Sequence, residues 1–309
     1  MPALKPLLRV VAAVGLFFLL LSFIYRFEYD GLMPYERAAK PFWLIATMSM
    51  AKEQRRRNMI RTTWHTLYKD YGIKTIFVLN NPTNVYWPLI EHENATYGDI
   101  IVHEHLVEEP GPNKTIKSVE LYKRLIREGQ QFKFVSKTDD DSWIDVPNFI
   151  QTFLIPLWDA ERTFIARQLV NSDVNDQSLW ETGYRWPGGQ FYTLTWDLVE
   201  LVAKLHDANF ITDDHEDRIH ARLLYEAGEG YDIVRLENQE AFDWGPAKGT
   251  EEDVVAGEND DLTKWVHPVG PGAINPHKLK KDSVYMKVAA LYDEYGQKTP
   301  IDVGKLSGH

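Results

Sequence analysis

FKFVSKTDDDSWIDV, residues 132–146, sets an apolar run (Phe132, Phe134, Val135) directly against three consecutive acids, Asp139, Asp140 and Asp141. The chain then turns apolar again at Trp143 and Ile144. Adjacent carboxylates repel one another and resist leaving water, so such a cluster at the end of a buried strand is costly unless a cation sits beside it. A D-x-D at a strand end offers the sparse, hard-oxygen coordination that Mg2+ and Mn2+ accept, with water and substrate phosphates filling the remaining positions. The same acids also read as the start of a helix before Val146-Pro147, because Asp is a good N-cap. They do not read as an EF-hand, which needs a Gly at the sixth loop position and a Glu at the twelfth.

The flanking sequence places the triplet in an α/β fold. Short apolar runs at 42–48, 74–80, 98–105 and 132–137 alternate with amphipathic segments at 50–68 and 114–129 and a helical or turn segment through Glu93. That alternation predicts βαβ units and a Rossmann-like, mostly parallel sheet flanked by helices. Ligands in such sheets sit beyond the carboxyl ends of the strands, and the triplet follows the fourth run. The second half is less regular: helices are predicted at 145–158, 196–210 and 216–228, strands at 163–169, 190–195 and 231–236, an acidic surface loop at 250–261, and a tail helix over 276–295 beginning near Asn275-Pro276.

The chain has 309 residues, 44% of them hydrophobic, enough for one large domain, and no repeat or linker divides it. Its net charge of −11 argues against sequence-independent nucleic-acid binding, which rests on Lys and Arg neutralising phosphates. There is no cysteine. Near the N-terminus, LLRVVAAVGLFFLLLSFIY (7–25) is apolar apart from Arg9 and Ser22. It predicts a signal-anchor helix over 10–25, behind a cytosolic tail (1–9) and before a stem (26–40) and a luminal domain (41–309). Lys5 and Arg9 keep the N-terminus cytosolic by the positive-inside rule. A cleaved signal peptide is the rival, although no small-x-small site follows Tyr25 directly. Sequons at Asn94-Ala-Thr96 and Asn113-Lys-Thr115 are compatible with a luminal body.

Further residues qualify as site candidates, each with a plainer alternative. Arg57 and Arg61 share a helix face within RRRNMIRTTW (55–64) and could hold a diphosphate; a run of Arg is otherwise a solvated face. Gly188 and Gly189 suggest a φ > 0 turn or a close backbone approach to a ligand, while Trp180, Tyr184 and Trp186 could form a sugar platform or simply be core. Glu216-Asp217 opens a helix, where acids complement the dipole, and also offers a general base. His267, in WVHPVGP, could complete a metal shell or be a solvated loop histidine.

The order of these blocks carries more than any one of them. RRRNMIRTTW, YGDI (97–100), NKTIK (113–117), KTDDDSW (137–143), WPGGQFYTL (186–194) and Glu216-Asp217 together resemble the inverting β-1,3-glycosyltransferases of family 31, a group that includes β-1,3-galactosyl- and N-acetylglucosaminyltransferases and Fringe enzymes. The resemblance implies a GT-A fold, a UDP-galactose or UDP-N-acetylglucosamine donor, a glycan acceptor, Mn2+ (or Mg2+), and a Golgi type II membrane protein. It implies that Asp139 and Asp140 face the nucleotide, with Lys137, Arg57, Arg61, Gly188 and Gly189 in the donor-binding set. Asp141, with Asp139 and His267, would hold the metal, and Asp217 would be the base. The chain departs from the family pattern in reading EDRIHAR where E-D-V is usual, NKTIK for N-L-T-L-K, and in lacking the cysteines of animal members. The alternatives are a non-catalytic luminal lectin and a GT-A transferase of different sugar and stereochemistry.

Overall fold

WLIATM is apolar on both faces, as a strand covered by helices on each side must be, and it forms β1 (Trp43–Met48), buried along its whole length. The computed structural model describes residues 40–108, 116–169, 186–211, 214–243, 269 and 272–298. Three further parallel strands flank β1: β2 (Ile73–Asn81), β3 (Ile100–Val107) and β4 (Phe134–Asp139). Helices α1 (Gln54–Ile60), α2 (Trp87–Tyr97) and α3 (Lys117–Arg127) connect them in turn. The four apolar runs thus become four parallel strands, as the alternation predicts. Helix α1 continues into one wide turn, Arg61–His65, that departs from helical geometry at Thr63.

The sheet extends through β5 (Thr163–Leu169), β6 (Trp186–Thr195) and β7 (Asp232–Arg235), giving the order β3-β2-β1-β4-β6-β5-β7. Strand β6 runs antiparallel to both β4 and β5, so the sheet is mixed but mainly parallel. Helices α5 (Trp196–Ala208) and α6 (Glu216–Glu226) pack with α3 and β6 over one face, closing a core that includes Tyr122, Tyr192, Leu198, Ile219 and Leu223. From β1 the chain steps outward to β2 and β3, then returns across β1 to β4. The carboxyl ends of β1 and β4 therefore flank a topological switch point, with Met48 opposite Asp139.

Three expectations change. Trp186-Pro-Gly-Gly is extended strand rather than a turn, and β6 begins before it. The helix at α4 (Val146–Phe149), which runs on as a wide turn over Ile150–Leu154, is capped by Asp145, whose Oδ1 accepts from the Asn148 amide at 3.3 Å. The acid triplet is thus not that helix's cap. The tail expected as one helix forms β8 (Ala241–Asp243) paired with β9 (Asn275–His277), a short α7 (Asp282–Ala289), and a hairpin of β10 (Tyr292–Asp293) with β11 (Gly296–Gln297). The anchor at 10–25, the stem apart from Lys40, Asn113 and the acidic loop at 250–261 lie outside the described residues. Among the described residues no helix is long and apolar enough to cross a membrane.

Candidate active site

Strand β4 delivers Asp139 to the switch point, and Asp140 and Asp141 follow it. The chain beyond runs beside residues 274–279, which hold it through Trp143 N to the Pro276 carbonyl (3.0 Å), Asp145 N to Ile274 (2.9 Å) and Leu279 N to Asp141 (2.8 Å). The Asn275 amide donates to the Trp143 carbonyl at 3.0 Å. This clamp brings His277 over the acids: its Nε2 lies 3.0 Å from Asp141 Oδ1 and 3.4 Å from Asp139 Oδ2. One ligand atom from each of Asp139, Asp141 and His277 lies within 4.8 Å of the others. Two carboxylates and an imidazole suit a hard-to-borderline divalent ion such as Mn2+, and Asp139 retains about a third of its side-chain surface open to solvent.

The protein supplies much of the balancing charge itself. Lys137 Nζ sits 2.6 Å from Asp139 Oδ1 and also donates to the Gly189 carbonyl. Against the penalty of burial, Lys137 and His277 hold the Asp139 carboxyl well below its usual range, while Asp139 and Glu216 hold the Lys137 ammonium above its own. Asp140 fares differently. Burial and the neighbouring Asp141 and Asp139 push it up to about 7, while the Ser49 hydroxyl donates to its Oδ2 at 3.1 Å.

Beside Lys137, α6 presents its first turn. Glu216 Oε2 lies 3.4 Å from Lys137 Nζ, and the Tyr192 hydroxyl donates to Glu216 Oε1 at 3.3 Å. Asp217 packs against Gly189, where an added Cβ would come within 3.3 Å of its Oδ2. Burial and Glu216 raise the Asp217 carboxyl above its ordinary value, the direction that makes a carboxylate a better proton acceptor near neutrality. Neither Gly188 nor Gly189 adopts positive φ. At Gly188 a side chain would meet Gln190 Oε1 at 2.7 Å and the Arg167 carbonyl at 3.2 Å. Protein groups already occupy the space beside both glycines.

The expected diphosphate role of Arg57 and Arg61 does not match their placement. Arg57 is fully buried and spends its five N–H groups on Glu93, Ser49 and the carbonyls of Met50 and Ala51. Arg61 forks onto Asp99, reaches Glu93 at 2.7 Å and lies over the Tyr97 ring at 4.1 Å. Both guanidiniums are taken up by protein acceptors, Arg57 reaching Glu93 and, just beyond the carboxyl end of β1, Ser49, Met50 and Ala51, and Arg61 reaching Asp99 and Glu93. Trp186 is buried beneath the Arg218 guanidinium, 4.9 Å away, and Trp180, Tyr184 and His267 lie outside the described residues. Among the described residues, the histidine brought to the acids is His277. Sequence reasoning missed it because β9 is only three residues long and its Asn-Pro start mimics a helix N-terminus.

A mainly parallel α/β sheet thus carries the acid triplet at its switch point, with the helix-borne Asp217 seated beside β6. The family described as Galactosyltransferase matches residues 55–219, from α1 to the start of α6, and the chain belongs to that family. The expected relationship is borne out. Mouse beta-1,3-galactosyltransferase 1 is 27% identical over 199 residues, covering 60% of this chain and 57% of that protein. Rat UDP-GalNAc:beta-1,3-N-acetylgalactosaminyltransferase 1 is 29% identical over 138 residues, 43% of this chain and 41% of that one. The match thus spans 57% of the length of the first of these curated relatives and 41% of the second. A solved galactosyltransferase, LgtC with donor and acceptor sugar analogs, covers 85% of this chain and 99% of its own at 11% identity and a TM-score of 0.43, a likeness too loose to bear on function.

Proposed function

We propose that the protein is an inverting, metal-dependent hexosyltransferase that moves galactose or N-acetylglucosamine from a UDP-sugar to a hydroxyl of a glycan acceptor, forming a β-1,3 linkage. The observation that carries this reading is the convergence of Asp139, Asp141 and His277 at the switch point of a galactosyltransferase-family sheet. Those three residues would hold Mn2+ or Mg2+, which when bound supplies Lewis-acid stabilisation to the diphosphate leaving group. Asp139 and Asp140 face the nucleotide side in this reading. Lys137 keeps Asp139 ionised and ties β4 to the Gly189 carbonyl of β6.

Asp217 takes the proton from the acceptor hydroxyl as its oxygen bonds to the anomeric carbon and the bond from that carbon to UDP breaks. Attack from the opposite face turns an α-linked donor into a β-linked product. Its raised pKa and its fixed seat against Gly189 support that role. We further infer from the apolar segment 7–25 and its flanking charges that the protein is a Golgi type II membrane protein with the domain at 41–309 luminal.

The test is a screen of the full chain in detergent against UDP-sugars, with Mn2+ and after chelation, reading UDP release and product configuration. Metal-dependent release from UDP-galactose or UDP-N-acetylglucosamine, with a β-linked product, is expected. Metal-independent release or an α-linked product would contradict the mechanism. Absence of turnover with intact glycan binding would favour a lectin.

A further inference from the structure

His277 has two ring nitrogens with different surroundings. Nε2 faces Asp141 and Asp139, whereas Nδ1 lies 2.7 Å from Oδ1 of Asp243, a residue outside both the acid triplet and the family-matched segment. The contact is built into the backbone, because β8 and β9 pair in parallel with Asp243 and His277 as direct Cα partners. Asp243 is itself anchored: Lys278 Nζ approaches its Oδ2 at 3.3 Å and Arg167 Nη1 its Oδ1 at 3.6 Å. Lys278 adopts φ of 63°, uncommon for a residue with a side chain, and immediately beyond it Leu279 N donates to the Asp141 carbonyl. The strained turn therefore directs two successive residues, one toward Asp243 and one toward the triplet.

An imidazole that donates Nδ1–H to a carboxylate keeps its lone pair on Nε2, so the partner at Nδ1 fixes which nitrogen can ligate a metal. Metal-bound histidines commonly carry such an outer carboxylate, which sets tautomer and ring orientation. We propose that Asp243 is a positioning residue for a divalent cation bound by Asp139, Asp141 and His277, holding His277 so that Nε2 points at the ion. This rests on the metal-dependent reading given above and adds to it a residue outside the converging group of Asp139, Asp141 and His277.

The experiment is Mn2+ titration of the full chain in detergent, without any nucleotide, following free Mn2+ by electron paramagnetic resonance and the bound ion by its nitrogen-14 modulation. Asp243→Asn, which keeps the shape of the side chain, is measured beside Asp243→Ala, with His277→Gln as the reference for a lost ligand and circular dichroism as the check on folding. Wild type should bind Mn2+ with one imidazole nitrogen signal. His277→Gln should lose that signal. Both Asp243 variants should stay folded, bind Mn2+ 10–100-fold more weakly, and show an altered nitrogen coupling. Folded Asp243 variants that keep wild-type affinity, or that keep the wild-type nitrogen coupling, would overturn the role of Asp243 and leave the metal site standing. Failure of wild type to bind Mn2+, or binding without a nitrogen signal, would overturn the metal site and this inference with it.

Discussion

Arg57 and Arg61 meet Glu93 and Asp99 in one cluster of buried charge, and Lys137 and His277 meet Asp139 and Asp141 in another. The two touch at Ser49, whose hydroxyl lies 3.5 Å from Arg57 Nη1 and donates to Asp140 Oδ2. Their chemistry differs in how completely each closes on itself. In the arginine cluster every N–H of Arg57 has an acceptor, and Glu93 is pinned between two guanidiniums at 2.8 Å and 2.7 Å. In the acid cluster Lys137 pairs with Asp139, His277 faces Asp139 and Asp141, and Asp140 is held by Ser49. Asp140 is pushed up to about 7 by burial and by Asp141 and Asp139, and Asp139 and Asp141 converge with His277 on one point. A closed cluster holds a fold together, whereas an open one with excess negative charge is suited to receive a cation from outside.

Mutations should separate the two. The largest effect is expected at the open end: Asp217→Asn should cut sugar transfer by about 10²–10⁴-fold, the usual worth of a positioned base, while UDP-sugar binding by calorimetry is retained. Normal transfer by that variant would remove Asp217 as the base. At the closed end, Glu93→Gln leaves two guanidiniums short of a counter-charge. It should lower unfolding free energy by about 3–5 kcal/mol in urea titration, with little change in activity per folded molecule. A loss of activity without a loss of stability would place the arginine cluster in the site after all.

A smaller effect concerns Asp145, which is buried and has no ion-pair partner among the described residues. Burial pushes it up to about 6, against the amides of Asn148 and Gln297, which donate to it. Because its folded value lies above its unfolded one, its contribution is present below about pH 4 and lost as pH rises through about 6. The cost at neutrality is at most about 3 kcal/mol. Asp145→Asn should flatten that part of the stability–pH curve, and an unchanged slope would refute the assignment. The smallest effect is at Gly189→Ala. Its methyl would crowd Asp217 at 3.3 Å, so transfer should fall a few-fold through kcat while urea stability changes by less than about 1 kcal/mol. An unaffected kcat would mean that the seat of Asp217 is not critical.

The legible and illegible parts of the chain divide on physical grounds. The strands β1, β2 and β4 show in the sequence because strands buried on both faces read as apolar runs, edge strand β3 shows through Ile100–Val102 alone, and α3 alternates in polarity. The same pattern put Asp139–Asp141 at a strand's carboxyl end. Arg57 and Arg61 read ambiguously because their partners, Glu93 and Asp99, come 36 and 38 residues later, and nothing in a helix face announces a distant carboxylate. The strand expected at 190–195 is the second part of β6, whose start was hidden by its Pro-Gly-Gly, which ordinarily marks a turn and here gives room to Asp217 and Gln190. His277 was hidden for a further reason: three-residue strands carry no periodicity, and the β8–β9 ladder joins segments more than thirty residues apart.

The most direct test is a crystal grown with MnCl2 and UDP, with data collected at the manganese absorption edge. The account predicts a single strong anomalous peak within bonding distance of Asp141 and His277. A map without that peak, with His277 still paired to Asp141 and Asp139, would contradict it.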